Sequence, residues 1–255
     1  MSAFSLTGKS ALIVGASTPI GSALALALAE AGANTALSTV LPSPREVAAI
    51  QVCGSTIRAM GRDGFAQTID ITSERDVQAL VERTVSELGG LDILINAPDL
   101  AFAKPVQDSS LAEWNRVLAV NLSGVYLSCR AAAGPMLSQQ RGRIINLVSV
   151  LGQRGMANGS AYCAAQAGVL NLTRALSQEW ARQGITVNAI GAGWTEGMAM
   201  IQDDATKKQL SRYIPHKRLA QPQEVADAVL SFSSDRSGFI TGQVLWLEGG
   251  VLSRL

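Results

Sequence analysis

The sequence predicts a doubly wound α/β fold built on a parallel sheet of about seven strands, and three features of its 255 residues lead there. Short apolar runs of strand character alternate with longer stretches of helical period. Hydrophobic side chains make up 47% of the chain, enough to bury a sizeable core. No internal repeat, low-complexity stretch or linker interrupts residues 1–255, so one domain is predicted.

Taken in order, strands are predicted at Ser10 to Val14, Asn34 to Thr39, Gly64 to Ile69, Leu91 to Ile95, Arg143 to Val148, Ile185 to Ile190 and Gln243 to Leu247. An Ala/Leu-rich helix follows the first strand. Ser43 with Glu46, and Ser110 with Glu113, have the spacing at which a hydroxyl and a carboxylate satisfy the free amides that open a helix. Pro44 and Pro222 suit first-turn positions, where a missing amide hydrogen costs nothing. Helices also occupy Asn115 to Ser138 and Ala161 to Arg182, both rich in small and apolar residues on more than one face. Strict alternation makes the sheet parallel, because a right-handed crossover uses a helix to bring the chain back.

Charge and composition narrow the partners. Twenty-one basic residues against twenty acidic ones give a formal charge of +1, with no Lys/Arg run to neutralise a row of phosphates. That argues against nucleic acid and for a small-molecule ligand. Cys53, Cys129 and Cys163 are odd in number and widely spaced, as in a reducing compartment. The N-terminus carries no basic-then-apolar segment, and no uncharged run reaches spanning length, so a soluble cytoplasmic protein without a membrane partner is expected. His216 is the only histidine, in a surface turn, and no metal is expected without several ligands at set spacing.

In such a sheet, ligands gather outside the carboxyl ends of the strands. After the first strand the chain reads Val-Gly-Ala-Ser-Thr-Pro-Ile-Gly (14–21), a small-residue turn into a helix N-terminus, which suits a pyrophosphate. Tyr162 and Gln166 lie four apart, on one face of a helix, with Ser149 upstream. Asn121 stands in Val-Asn-Leu, Asp70 follows the third strand, and Phe-Ile-Thr-Gly-Gln-Val-Leu-Trp-Leu-Glu-Gly-Gly fills 239–250.

These ordered matches resemble the short-chain dehydrogenase/reductase family over nearly the full chain. The resemblance implies a Rossmann-type fold, an NAD or NADP cofactor and a homotetramer or homodimer. It assigns Ser149, Tyr162, Asn121 and Gln166 to the catalytic positions. Gly15, Ser17, Ile20, Gly21, Thr39, Asp70, Ile71, Asn96, Gln166, Gly193 and Thr195 take the cofactor positions. In the family a Tyr hydroxyl exchanges a proton with the substrate oxygen, a Ser orients that oxygen, and a Lys lowers the Tyr pKa and binds the nicotinamide ribose.

The departures concentrate at the dinucleotide. Gln166 stands where the family has Lys, and Pro19 replaces the middle Gly of the loop. Thr39 takes the place of the ribose-binding Asp, while Thr18 and Val40 stand where an Arg or Lys favours NADP. Asn96-Ala97-Pro98-Asp99 replaces Asn-Asn-Ala-Gly, and a buried Asp99 requires a partner. Ala192-Gly193 replaces Pro-Gly, and Gly197 replaces a Thr, with Thr195 the candidate substitute. The cofactor site is therefore expected to bind weakly or to have lost the dinucleotide.

A glutamine hydrogen-bonds ribose hydroxyls but carries no charge. An unperturbed Tyr has a pKa of about 10, so Tyr162 is expected to stay protonated at neutral pH unless another cation reaches it. Arg154 is the candidate cation to offset this. A neutral Tyr donates a proton, which favours carbonyl reduction over alcohol oxidation. Two alternatives stay open: a non-redox Ser/Tyr general-acid enzyme of epoxide or halohydrin type, and a non-catalytic subunit. Trp194, Met156, Met198 and Met200 are expected in loops over the pocket, as apolar substrate contacts or ordinary packing.

Overall fold

The computed structural model describes residues 4–198, 200–201 and 203–253. Its parallel strands are β1 (Ser10–Val14), β2 (Asn34–Ser38), β3 (Gly64–Gln67), β4 (Ile93–Asn96), β5 (Gly142–Ser149), β6 (Ile185–Ala192) and β7 (Val244–Leu247). They form one sheet in the order β3-β2-β1-β4-β5-β6-β7. The winding reverses between β1 and β4, and a crevice opens there at the strand ends.

The crossovers are α1 (Pro19–Glu30), α2 (Pro44–Ala59), α3 (Glu74–Leu88), α4 (Leu111–Leu118), α5 (Gly124–Ser138), α6 (Ser160–Trp180), α7 (Asp204–Tyr213) and α8 (Pro222–Ser233). Alternate strand residues feed two cores, as a period of two requires. Leu12, Leu94 and Ile144 pack with Leu80 of α3, Cys129 of α5 and Val169 of α6. Ile13, Ile95 and Ile145 pack on the other face with Leu24 of α1, Ile50 of α2 and Val225 of α8.

Each predicted strand is present, and the shifted ends have causes. β2 and β3 stop at Ser38 and Gln67 rather than Thr39 and Ile69 because a side chain takes over the ladder. The Thr39 hydroxyl accepts from the Ile69 amide at 2.9 Å and donates to the Ile69 carbonyl at 2.8 Å. β5 and β6 run longer, pairing as far as Ser149 with Ala192, and so carry Ser149 to the rim of the crevice.

The helix starts at Ser43 and Ser110 form as predicted, with a difference. Ser110 and Glu113 close a reciprocal capping box. Ser43 caps the Glu46 amide at 3.3 Å, but the Glu46 carboxylate turns toward the strand ends instead. Between α4 and α5 the helix widens into a π segment, Ala119–Ser123, making one continuous run from Leu111 to Ser138. By length and composition that run is apolar enough to cross a membrane, yet Val120, Val125, Cys129, Ala132 and Met136 are buried against the sheet.

Candidate active site

The first turn of the site is set by sterics. Gly15 has φ +90°, and a Cβ there would lie 2.6 Å from the Ala97 carbonyl oxygen, so glycine lets the β1 and β4 loops close together. Thr18 caps α1, its hydroxyl accepting from the Gly21 amide at 3.0 Å, and Pro19 opens the helix. Ser22 steadies the turn by donating to the Ala16 carbonyl at 2.9 Å. The amides of Ser17 and Ile20 find no partner among the described residues, which leaves donors at a helix N-terminus.

A second knot lies beyond β2. One oxygen of Glu46, Oε2, accepts from the Ser17 hydroxyl at 2.9 Å, the Val40 amide at 2.8 Å and the Leu41 amide at 3.3 Å. Three donors on one oxygen pin the carboxylate across the β1 and β2 loops. Its Oε1 has no partner among the described residues.

Beyond β4 and β5 the chemistry changes. Gln166, only 3% exposed, accepts the Ser149 amide hydrogen on Oε1 at 2.9 Å, and its Nε2 has no partner among the described residues. The Ser149 hydroxyl accepts from the Leu151 amide at 3.2 Å. Tyr162, one turn before Gln166 on α6, donates its hydroxyl hydrogen to Asp99 Oδ1 at 2.8 Å. Burial, reinforced by the Asp99 carboxylate, holds the Tyr162 hydroxyl well above the ordinary phenol range, with Ser149 opposing in part. Burial also pushes Asp99 up, and its bond from Tyr162 offsets this only in part.

Arg154 does not supply the expected cation. It donates to the Val251 carbonyl at 3.1 Å and lies over the Tyr213 ring at 5.9 Å. Tyr162 has a carboxylate for its partner, which favours its protonated form.

Ser17, Thr18, Pro19, Ile20, Ser149, Tyr162 and Gln166 line a single cavity of about 350 Å³ at the reversal of the sheet, together with Glu46, Asp99 and Met198. Other positions assigned by resemblance are committed elsewhere. Thr39 is fully buried with its hydroxyl satisfied by Ile69. Asp70 accepts from Thr72 and so shapes the turn before α3. Ile71 is buried in the core, and Asn96 donates to Asn146 at 2.9 Å beneath the sheet surface. Thr195 is buried and donates to the Gly193 carbonyl, while Gly193 borders a separate cavity beside Trp194.

Asn121 grips Leu100 at both backbone groups, accepting from its amide at 2.9 Å and donating to its carbonyl at 3.0 Å. It thereby fixes the residue after Asp99. Of the apolar residues expected over the pocket, Met198 lines the cavity, while Trp194 meets Tyr213 edge to face at 5.5 Å and packs with Met156 in a cluster that includes Tyr162. Glu46 was legible only as a helix-capping residue, and its place in the cavity depends on the sheet bringing residues 17, 40 and 46 together.

A parallel sheet with a cavity at its reversal, a helix N-terminus on one wall and a Ser–Tyr pair on another defines a Rossmann-type oxidoreductase architecture. Known proteins agree. A family model described as enoyl-(acyl carrier protein) reductase matches residues 15–252. The 3-oxoacyl-[acyl-carrier-protein] reductase FabG of Staphylococcus aureus is 36% identical, over 95% of this chain and 98% of that protein. A short-chain type dehydrogenase/reductase from Mycobacterium marinum superposes with a TM-score of 0.91 at 32% identity, covering 98% of both chains. A structure from Beutenbergia cavernae, provisionally described as an NAD(P)-dependent gluconate 5-dehydrogenase with bound NADP at low occupancy, superposes with a TM-score of 0.90 at 30% identity. It covers 98% of this chain and 99% of the other. The chain belongs to the short-chain dehydrogenase/reductase family.

Proposed function

We propose that the protein reduces the carbonyl of a small molecule to an alcohol with NADH or NADPH, at a cofactor site of low affinity in which Gln166 stands where the family has its lysine. The observation that carries this reading is the Tyr162 hydroxyl beside Ser149 on the cavity wall, bonded to Asp99 and held above the ordinary phenol range by burial. The residues present suit a dinucleotide. Free amides of Ser17 and Ile20 point to a pyrophosphate, Gln166 Nε2 to a ribose hydroxyl, and Glu46 Oε1 to another. The relative with bound NADP and the FabG reductase support the same reading.

A nicotinamide cofactor, when bound, supplies the hydride. The protein handles the proton. Ser149 orients the carbonyl oxygen by donating to it, and Tyr162 gives that oxygen its hydrogen. Asp99 refills Tyr162 when it is itself protonated, a state that burial favours. In reverse, with Asp99 ionised, an alcohol hydrogen passes to Tyr162 as the Tyr162 hydrogen passes to Asp99 along the bond between them. Asn121 holds the loop that aims Asp99. Without the lysine charge, the ribose loses an ionic partner and affinity falls.

The protein is proposed to act as one unit over residues 1–255, in the cytoplasm, as a homotetramer or homodimer. β7 is an edge strand, and Leu245 on it and Phe239 before it are exposed. A non-redox general-acid reading draws on a different contact: at Gly197 a Cβ would fall 2.8 Å from Pro19 Cγ, a tight approach at the phosphate end.

Reduced-cofactor absorbance, followed across a panel of small ketones and aldehydes, decides between them. Turnover that requires NADH or NADPH and falls by about 10²–10⁴ in Tyr162→Phe is the expected result. Turnover of an epoxide or halohydrin without any dinucleotide replaces this reading with the non-redox one.

A further inference from the structure

We infer that Glu46, on α2 rather than at the end of β2, selects the cofactor and makes the protein prefer NAD(H) to NADP(H). The inference rests on the nicotinamide-dependent reading above. In a doubly wound sheet, an acid near the end of β2 receives the adenosine ribose hydroxyls, whereas a cation there receives a 2′-phosphate. Thr39 cannot fill either role, since its hydroxyl is closed into the Ile69 backbone.

Glu46 reaches the same place from a different element. Its Oε2 is anchored by Ser17, Val40 and Leu41, and Oε1 is left without a partner among the described residues, beside the cavity. A carboxylate held through one oxygen offers the other as a fixed acceptor for a ribose hydroxyl. The same anchoring works against a phosphate. The Val40 and Leu41 amides, which would otherwise receive an anion at the strand end, are already taken by an anion. A 2′-phosphate would meet Glu46 as a like charge at close range.

Arg45 is the rival, since it also lines the cavity. It is exposed and makes no ion pair or hydrogen bond with the described residues. A solvent-exposed cation gains little from a single anion, so the pinned carboxylate decides the outcome.

Calorimetry with NADH and NADPH on the unmodified protein, Glu46→Gln and Arg45→Ala tests this, with 5′-AMP and 2′,5′-ADP as fragments that need no nicotinamide end. The expected result is NADH tighter than NADPH by about tenfold or more, the same order between 5′-AMP and 2′,5′-ADP, and a ratio that collapses in Glu46→Gln but stays in Arg45→Ala. NADPH binding as well as NADH, or a ratio unmoved by Glu46→Gln, overturns the role of Glu46 and leaves the reductase reading in place. The fragments on the unmodified protein keep the test decisive if Glu46→Gln fails to fold. Failure of both dinucleotides to bind overturns the reductase reading, and this inference with it.

Discussion

Glu46 and Asp99 are two carboxylates on one cavity, and their surroundings differ in a way that separates their roles. Glu46 has three donors on a single oxygen, two of them backbone amides of the strand end it braces. Asp99 has one among the described residues, the Tyr162 hydroxyl. Backbone amides fix a carboxylate in space, so one held by them keeps its place. A carboxylate whose partner is a phenol in a buried pocket gains by taking a proton, and burial pushes Asp99 that way. The comparison teaches that the number and kind of donors, more than the presence of an acid, decides whether a carboxylate positions a ligand or trades hydrogens with it.

Replacing Gln166 by Lys tests how far the reaction end is built around an uncharged residue, and carries the largest stability effect. An ammonium cannot accept the Ser149 amide hydrogen that Gln166 takes at 2.9 Å, and the position is 3% exposed. A loss of about 3 kcal/mol is expected in denaturant unfolding, from one unpaired buried amide and the desolvation of a charge. Unchanged stability means that the Ser149 amide finds another acceptor, and that Gln166 is not part of the frame. At the other end, Glu46→Ala removes the brace between the β1 and β2 loops. Because the cavity admits water to the freed amides, the expected loss is smaller, about 2 kcal/mol by the same measurement. A loss below about 0.5 kcal/mol, the range of ordinary surface substitutions, ends the claim that Glu46 pins those loops.

The frame of this contrast was legible in the sequence. Alternating strand and helix patterns placed seven strands, and the Tyr162–Gln166 spacing put both side chains on one wall, because periods of two and 3.6 are local properties. The need of Asp99 for a partner was legible too, but the partner was not. The fold brings Tyr162 to Asp99 across 63 positions of chain, and it sends Arg154, the candidate cation for Tyr162, to the Val251 carbonyl instead. Thr39 and Glu46 show the same limit. A Thr at a strand end is compatible with a ribose contact until the third strand arrives to saturate it. A Glu three residues after Ser43 looks like a capping box until a strand end offers it better donors. Hydrogen bonds to chain outside the residue's own helix or strand decided each of these positions, and the local pattern within an element does not encode them.

The smallest effect comes from Asp99→Asn, and it is the one that separates the two carboxylates by charge alone. The folded-state pKa of Asp99 is raised, so folding favours its protonated form. The stability it contributes is complete below the ordinary carboxylate range and is lost as pH rises through the raised value. Asparagine keeps an oxygen for the Tyr162 hydroxyl and does not titrate. The melting temperature of Asp99→Asn should therefore match that of the unmodified protein in acid and pull ahead of it toward neutral pH, by less than about 1 kcal/mol in stability. A gap that stays constant with pH, or one in which the unmodified protein leads at neutrality, means that the Tyr162 bond outweighs burial. Asp99 would then be a second fixed carboxylate like Glu46, and the proton store would have to be sought elsewhere on the cavity wall.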